Sequence, residues 1–293
     1  KYSEFKALKN NFKQKIHKHK VIDIVFKNFE KEITESCRIN QKPINGLPVI
    51  TMKKLFNYCS KHFKKKIVIT GIGDSIFFNA NNKIINNLKK NKSIQYAPDG
   101  IVYKSNEFLT KKYDLVSNKI FKNLKFKKLF KVKSIYHNFI LKQCFYLKGP
   151  KVKNEVKNLS KYFKVKTFSP FCETRFHEKI LGLPNNLLFN GKPKSFVNEM
   201  LRSIEGCEPK QGLKMNSPQR EYLFEKYKNN VIKTIKNSNL QKLNVVESKK
   251  ILASYINLQK KYYRDKYKKS FKNFSSYEIW KFISTEFFLR SLK

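Results

Sequence analysis

The stretch Lys66-Ile67-Val68-Ile69-Thr70-Gly71 carries the clearest strand signal in the chain and decides its fold class. It is short and rich in β-branched residues, and it lies between basic residues and a glycine, as a buried strand that enters a turn does. On both sides of it, apolar residues recur at helical spacing instead. The sequence therefore predicts an α+β or α/β protein, with a mixed central domain between a helical N-terminal region and a helical C-terminal extension.

Four regions follow from this pattern. They are a helical N-terminal region over residues 1–66, a mixed α/β core over 67–168, an irregular connector over 169–216 and a helical C-terminal region over 217–293. The connector is assigned because it is rich in proline and glycine, with one short helix near Phe196.

Particular elements are expected within these regions. Two amphipathic helices precede the strand, and Thr51 is expected to cap the second of them. Alternating apolar residues between Ser134 and Leu147 predict a strand, which a helix and a strand at Val165–Phe168 would extend into a β-α-β unit. The final helix is expected to begin with the capping box Ser275-x-x-Glu278.

The charge of the chain restricts its partners. It has 64 Lys and Arg against 21 Asp and Glu, a formal net charge of +43 on 293 residues. Drift in an A+T-rich genome explains why only six of these cations are arginine, but it does not explain the shortage of anions. At physiological salt the screening length is about 8 Å, so neighbouring lysines still repel one another. A polyanion removes that repulsion, and nucleic acid is the polyanion that fits best.

Three basic stretches contain aromatic residues, which can stack on exposed bases while lysines hold the backbone. They run from Lys61 to Lys66 around Phe63, from Lys122 to Lys133 around Phe126 and Phe130, and from Lys260 to Lys272 around Tyr262, Tyr263, Tyr267 and Phe271. The residues predicted to contact RNA are Lys64, Lys65, Lys66, Lys122, Lys125, Lys127, Lys128, Lys131, Lys133, Lys260, Lys261, Arg264, Lys266, Lys268 and Lys269.

Sites for catalysis, cofactors or metals are poorly supported. Gly71-Ile72-Gly73 after the strand is typical of a cofactor loop, but the third glycine and the later acidic residue of a dinucleotide fingerprint are missing. The adjoining Gly73-Asp74-Ser75-Ile76 resembles the nucleophile block of the GDS-type esterases, which would make Ser75 a nucleophile. No histidine follows an aspartate near the end of the chain to serve as its base. We therefore expect no catalytic residue and no cofactor.

Two Cys/His pairs, Cys59 with His62 and Cys172 with His177, could share zinc only if they met in space. A cysteine on an apolar helical stripe is usually a core residue, and the second spacing matches no common zinc motif. No metal site is therefore expected.

Together these observations predict a noncatalytic, RNA-binding structural component of a large ribonucleoprotein, most concretely a ribosomal protein of the mitochondrial matrix. Its expected partners are ribosomal RNA and neighbouring ribosomal proteins. No small-molecule substrate is expected, and no membrane, because no apolar run approaches about 18 residues. The alternative is an RNA-modifying enzyme that holds a cofactor at Gly71 and Gly73.

Overall fold

The structure, a computed structural model, describes residues 26, 28–63, 67–71, 108–111, 113, 134–142, 148–190, 195–203, 219–265 and 276–292. These residues are mostly helical and include one small parallel sheet. The expectation of a mixed fold therefore holds at this coarse level, with helix dominating over strand.

The elements of the first part are α1 (Phe29–Asn40), α2 (Leu47–His62), β1 (Ile67–Ile69), α3 (Ile135–Lys142), α4 (Lys148–Phe163) and β2 (Lys166–Phe168). The second part has α5 (Thr174–Gly182), α6 (Asn185–Leu188), α7 (Ser195–Ser203), α8 (Gln219–Glu221), a π-helical turn (Tyr222–Lys226), α9 (Lys228–Lys236), α10 (Asn239–Lys242), α11 (Ser248–Asp265) and α12 (Tyr277–Ser291). A 3-10 turn over Pro170–Cys172 joins β2 to α5.

The sheet pairs the two predicted strands with each other. β1 and β2 are parallel, with Val68 opposite Thr167 at the centre of the register. Val68 packs in a small core with Phe56 of α2 and Leu159 of α4. Strands are confirmed at these two places, and β2 pairs in parallel with β1, which lies about a hundred positions earlier in the chain. The expectation that the first strand is buried is wrong, because Ile67 and Ile69 are exposed and only Val68 of the three residues packs into the core.

The predicted strand between Ser134 and Leu147 is wrong for the residues described there. Ile135–Lys142 form α3, which buries Tyr136 and Ile140 one turn apart. The Ser134 hydroxyl accepts a hydrogen bond from the His137 amide at 3.2 Å, as an N-cap does. This cap favours a helix where apolar alternation alone suggested a strand. The first strand of the predicted β-α-β unit is therefore replaced by a helix over the residues described there.

Two predicted helix starts are also displaced. α2 begins at Leu47 with Gly46 as its N-cap and Pro48 in its first turn, so Thr51 lies inside the helix. Proline suits the first turn because its missing N–H would have no intrahelical partner there. At α12 the N-cap is Ser276, one residue after the predicted Ser275, and its side chain makes no capping hydrogen bond.

The region predicted as an irregular connector contains three helices among its described residues, α5, α6 and α7. The short helix predicted near Phe196 is confirmed by α7, whereas α5 and α6 were not predicted. The apolar residues of these three helices pack with α3 around Tyr136 and Ile140. Tyr136 stacks on Phe189 with ring centroids 5.3 Å apart. Prolines at 170 and 184 lie at element starts, where proline is tolerated, so a proline-rich stretch remained compatible with helices.

The main core is formed by α1, α12, α9, α11 and the π-helical turn. Trp280 of α12 is fully buried, and its indole Nε1 donates a hydrogen bond to the Ile44 carbonyl at 3.1 Å. This bond fixes the loop between α1 and α2 against the last helix. Phe29 of α1 meets the Trp280 ring edge-on, with centroids 6.4 Å apart.

A buried carboxylate orders the start of α10. Glu286 of α12 is fully buried and accepts hydrogen bonds from the Ser238 hydroxyl and from the amides of Asn239 and Leu240. The two amides belong to the first turn of α10, whose N–H groups lack intrahelical partners. These three donors contact both carboxylate oxygens of Glu286.

Side chains of α11 donate hydrogen bonds to backbone carbonyls of the π-helical turn. The Leu223 carbonyl accepts a hydrogen bond from the Tyr255 hydroxyl at 2.8 Å. The Phe224 carbonyl accepts from Gln259 Nε2 at 2.9 Å and from the Tyr263 hydroxyl at 3.0 Å. Tyr255, Gln259 and Tyr263 are four residues apart, so they lie on one side of α11. Three polar side chains therefore join α11 to this turn.

A cluster of ion pairs around the buried Lys53 joins α1 to α2. The ammonium group of Lys53 lies 2.7 Å from carboxylate oxygens of both Glu32 and Glu35, and Lys54 lies 2.7 Å from the other Glu32 oxygen. Burial raises the pKa of Glu32, but its hydrogen bonds and charge interactions with Lys53 and Lys54 outweigh burial, so the pKa falls below the ordinary 4.5.

We expect Tyr255→Phe to lower the free energy of unfolding by about 1–3 kcal/mol, because the buried Leu223 carbonyl loses its side-chain donor. The measurement is denaturant unfolding of the purified protein. Tyr263→Phe is the matched control and should cost less, because the Phe224 carbonyl keeps Gln259. Equal costs for the two variants would contradict this account.

Glu32→Gln should lower the thermal unfolding midpoint at neutral pH. The difference in midpoint between the variant and the wild type should become smaller at acid pH. The folded-state pKa of Glu32 lies below its ordinary value of 4.5, so its contribution is present above that value and is lost as pH falls through the folded-state pKa. Thermal unfolding across the acid range measures this. Glu30→Gln, which removes an exposed pair with Arg290, is the control and should have little effect. A difference in midpoint between Glu32→Gln and wild type that is the same at every pH would contradict a stabilising role for the ionised Glu32.

Candidate nucleic-acid interface

Three of the predicted RNA-contacting residues, Lys260, Lys261 and Arg264, lie in the last turns of α11. Lys260 and Arg264 are exposed and one turn apart, whereas Lys261 is half-buried. The other twelve lie outside the described residues: Lys64, Lys65, Lys66, Lys122, Lys125, Lys127, Lys128, Lys131, Lys133, Lys266, Lys268 and Lys269.

The two tyrosines near the end of α11, Tyr262 and Tyr263, differ in burial. Tyr262 is buried in the main core, and burial together with a hydrogen bond to Glu225 raises its pKa above the ordinary value. Tyr263 is 46 % exposed, but its hydroxyl donates a hydrogen bond to the Phe224 carbonyl. The basic residues at 260 and 264 therefore face solvent, while the neighbouring Tyr262 stabilises the fold.

Beside the predicted Lys260, the structure adds five exposed lysines that the sequence analysis did not single out. We use the name C-terminal lysines for the exposed lysines of α9, α10 and α11 that form no ion pair among the described residues. They are Lys228, Lys233, Lys236, Lys242, Lys249 and Lys260. Residues 219–265 contain eleven Lys and Arg against four Asp and Glu, so few carboxylates are available there.

Four of the missed lysines occur singly along the chain and Lys249 has only Lys250 beside it, so a search for longer basic runs does not find them. The usable signal is the absence of a carboxylate three or four positions away, which holds for Lys233, Lys236 and Lys242. Two neighbours show the contrast. Lys226 lies 3.2 Å from Glu221, and Lys250 lies 2.7 Å from Glu247.

The helices that carry most of these lysines, α9 and α11, are fixed by packing against each other and the main core. α9 packs on α11, and Val231, Ile235 and Ile251 are fully buried between them and the rest of the main core. Because the inner faces are fixed, the outer faces present their ammonium groups to solvent at defined positions on the helices. Such an arrangement can bind phosphate groups, since each lysine is a compact charge on a flexible stem.

The structure does not bring the two Cys/His pairs together as a metal site. The His62 ring lies on the Tyr58 ring, with centroids 4.2 Å apart, whereas His177 Nε2 lies 2.9 Å from the Phe171 carbonyl. Burial raises the pKa of the Cys59 thiol, which disfavours the thiolate that zinc requires. Across the described ranges, no group of three or more His, Cys, Asp or Glu residues is placed to hold a metal ion.

Gly71 lies just after β1, at the carboxyl end of the parallel pair. The preceding Thr70 hydroxyl lies 2.6 Å from the Ser169 hydroxyl, which follows β2. A Cβ added at Gly71 would meet no atom within 4 Å, so packing within the protein does not require glycine there. Gly73, the second glycine of the predicted cofactor loop, lies outside the described residues.

Two further findings concern the chain as a whole. Within the ranges the structure describes, none of the helices combines the length and the apolar character needed to cross a bilayer. Neither a protein-family model, nor a curated protein, nor a solved structure matches this chain.

Replacing Lys228, Lys233 and Lys236 of the C-terminal lysines with Gln should preserve the fold, because all three are exposed and Gln is a good helix former. The slope of log affinity for structured RNA against log salt concentration should become shallower by about one unit for each lysine that contacts phosphate. Titrations at several salt concentrations measure this slope.

The matched control is Lys226→Gln with Lys250→Gln, because these two lysines already have carboxylate partners. The control should change the slope less, per lysine replaced, than the triple variant does. A triple variant with the wild-type slope would show that these lysines do not contact phosphate.

Proposed function

We propose that the protein is a noncatalytic RNA-binding component of a large ribonucleoprotein, with the mitochondrial ribosome as the assembly. Its partners are then ribosomal RNA and neighbouring ribosomal proteins. The observation that carries the proposal is the set of C-terminal lysines, which are exposed on well-packed helices and lack carboxylate partners among the described residues. They belong to a chain with a net charge of +43.

The physical basis is counterion release. A lysine that neutralises a phosphate releases condensed cations from the nucleic acid, which gives strong and largely sequence-independent binding. Recognition of base edges favours arginine, which contacts guanine with two hydrogen bonds. With only six arginines in the chain, contact with the phosphate backbone is favoured over reading of base sequence.

The distribution of charge supports a structural component rather than an enzyme with one binding groove. Exposed lysines occur on elements throughout the described chain, including Lys61 on α2, Lys161 on α4, Lys179 on α5 and Lys236 on α9. A protein surrounded by RNA and other basic proteins makes use of such a distribution, because phosphates approach it from several directions.

The alternative is an RNA-modifying enzyme that holds a cofactor near Gly71. One observation favours it: the glycine lies at the carboxyl end of a parallel strand, which is where ligands bind in open α/β sheets. The two functions differ in how long the protein stays bound to the particle. A structural component stays in the mature particle in a fixed ratio to the RNA, whereas a modifying enzyme leaves after it has acted.

The test is sedimentation of the native protein from a mitochondrial lysate. We expect it in heavy fractions with ribosomal RNA, in constant ratio to that RNA, and we expect RNase treatment to move it to light fractions. A parallel gradient with an RNase inhibitor is the control. Sedimentation as a free 34.9 kDa protein in both gradients would refute the proposal, and association with immature particles alone would favour the modifying enzyme.

A further inference from the structure

An open cleft lies where α1, the second half of α2 and the end of α4 meet. Its volume is about 640 Å³, which falls within the range of about 300–1,000 Å³ that is typical of small-ligand sites. Aromatic rings, lysines and two carboxylates line it. The cleft is separate from the C-terminal lysines, because none of its lining residues comes from α9, α10 or α11.

The aromatic rings of the cleft leave surface available for stacking. Tyr162, near the end of α4, is 49 % exposed and meets Phe163 edge-on, with centroids 4.9 Å apart. Tyr58 and His62, one turn apart on α2, lie against each other at an angle of 31° between their planes. Tyr162 is thus a large ring in the lining of the cleft, with much of its surface in water.

The charges of the cleft are compatible with a phosphate group. Glu32 and Glu35 are engaged by Lys53 and Lys54 at 2.7 Å, so the negative charge of both carboxylates is compensated within the protein. Lys61 is exposed at the same cleft and forms no ion pair among the described residues. The cleft therefore combines an exposed aromatic ring with an exposed cation that forms no ion pair among the described residues.

We propose that this cleft binds one nucleotide of single-stranded RNA, with the base stacked on Tyr162 and the phosphate held by Lys61. The inference rests on the proposed RNA-binding function and adds a defined base-stacking site to it. Every base has a π-face, so such a site accepts any sequence but requires an unpaired base. A base inside a duplex is already stacked on its neighbours and cannot reach the ring.

The experiment compares the full-length wild-type protein with Tyr162→Ala and Tyr162→Phe. Binding of a short labelled oligouridine and of a labelled RNA duplex is measured by fluorescence anisotropy. Tyr162→Ala should bind the single strand about 5- to 150-fold more weakly, whereas Tyr162→Phe, which keeps the ring, should bind it like wild type. Duplex affinity and the salt slope should not change, because no phosphate contact is lost.

Phe168→Ala is the matched control, because Phe168 is 47 % exposed on β2 and does not line the cleft. Thermal unfolding checks that each variant is folded. Wild-type single-strand binding by Tyr162→Ala, or an equal loss in Phe168→Ala, would overturn the stacking site and leave the proposed function intact. A wild-type protein that binds the duplex but not the single strand would also overturn the site alone. A wild-type protein that binds neither RNA would refute the proposed function itself.

Discussion

Repulsion between uncompensated lysines is the constraint on which the rest of the structure depends. The chain has 64 Lys and Arg against 21 Asp and Glu, so there are too few carboxylates to form an ion pair with most of the cations. The remaining cations must stay in water or bind a partner. Among the described residues Lys53 is the one lysine that is buried, and it contacts two carboxylates. The acidic residues are few, and three of them, Glu32, Glu35 and Glu286, are used to fix the interior or the contact between α1 and α2.

The interior follows from the same constraint. Because charge opposes the compact state, stability has to come from apolar burial and from hydrogen bonds between neutral groups. Trp280 and Tyr255 supply both, since each buries a large ring and donates a hydrogen bond to a backbone carbonyl. These contacts hold the inner faces of α11 and α12, while the outer face of α11 carries exposed basic residues. The packing that stabilises the fold thereby presents charge to a partner.

The sequence was informative where one local signal dominated. Val68 and its β-branched neighbours predicted β1 correctly, and Val165–Phe168 predicted β2. It was misleading where two signals competed: apolar alternation after Ser134 suggested a strand, but the Ser134 cap and the spacing of Tyr136 and Ile140 produce a helix. Pairing of β1 with β2, and the cleft beside Tyr162, depend on contacts between segments far apart in the chain, which local patterns do not encode.

The most direct test of uncompensated charge is the thermal unfolding midpoint of the RNA-free protein as a function of sodium chloride concentration. The account predicts that the midpoint rises as salt increases, because the screening length falls from about 30 Å at 0.01 M to about 8 Å at 0.15 M and repulsion weakens. Bound RNA should raise the midpoint at low salt and reduce its salt dependence. A midpoint of the RNA-free protein that is constant or falls over this range would contradict the account.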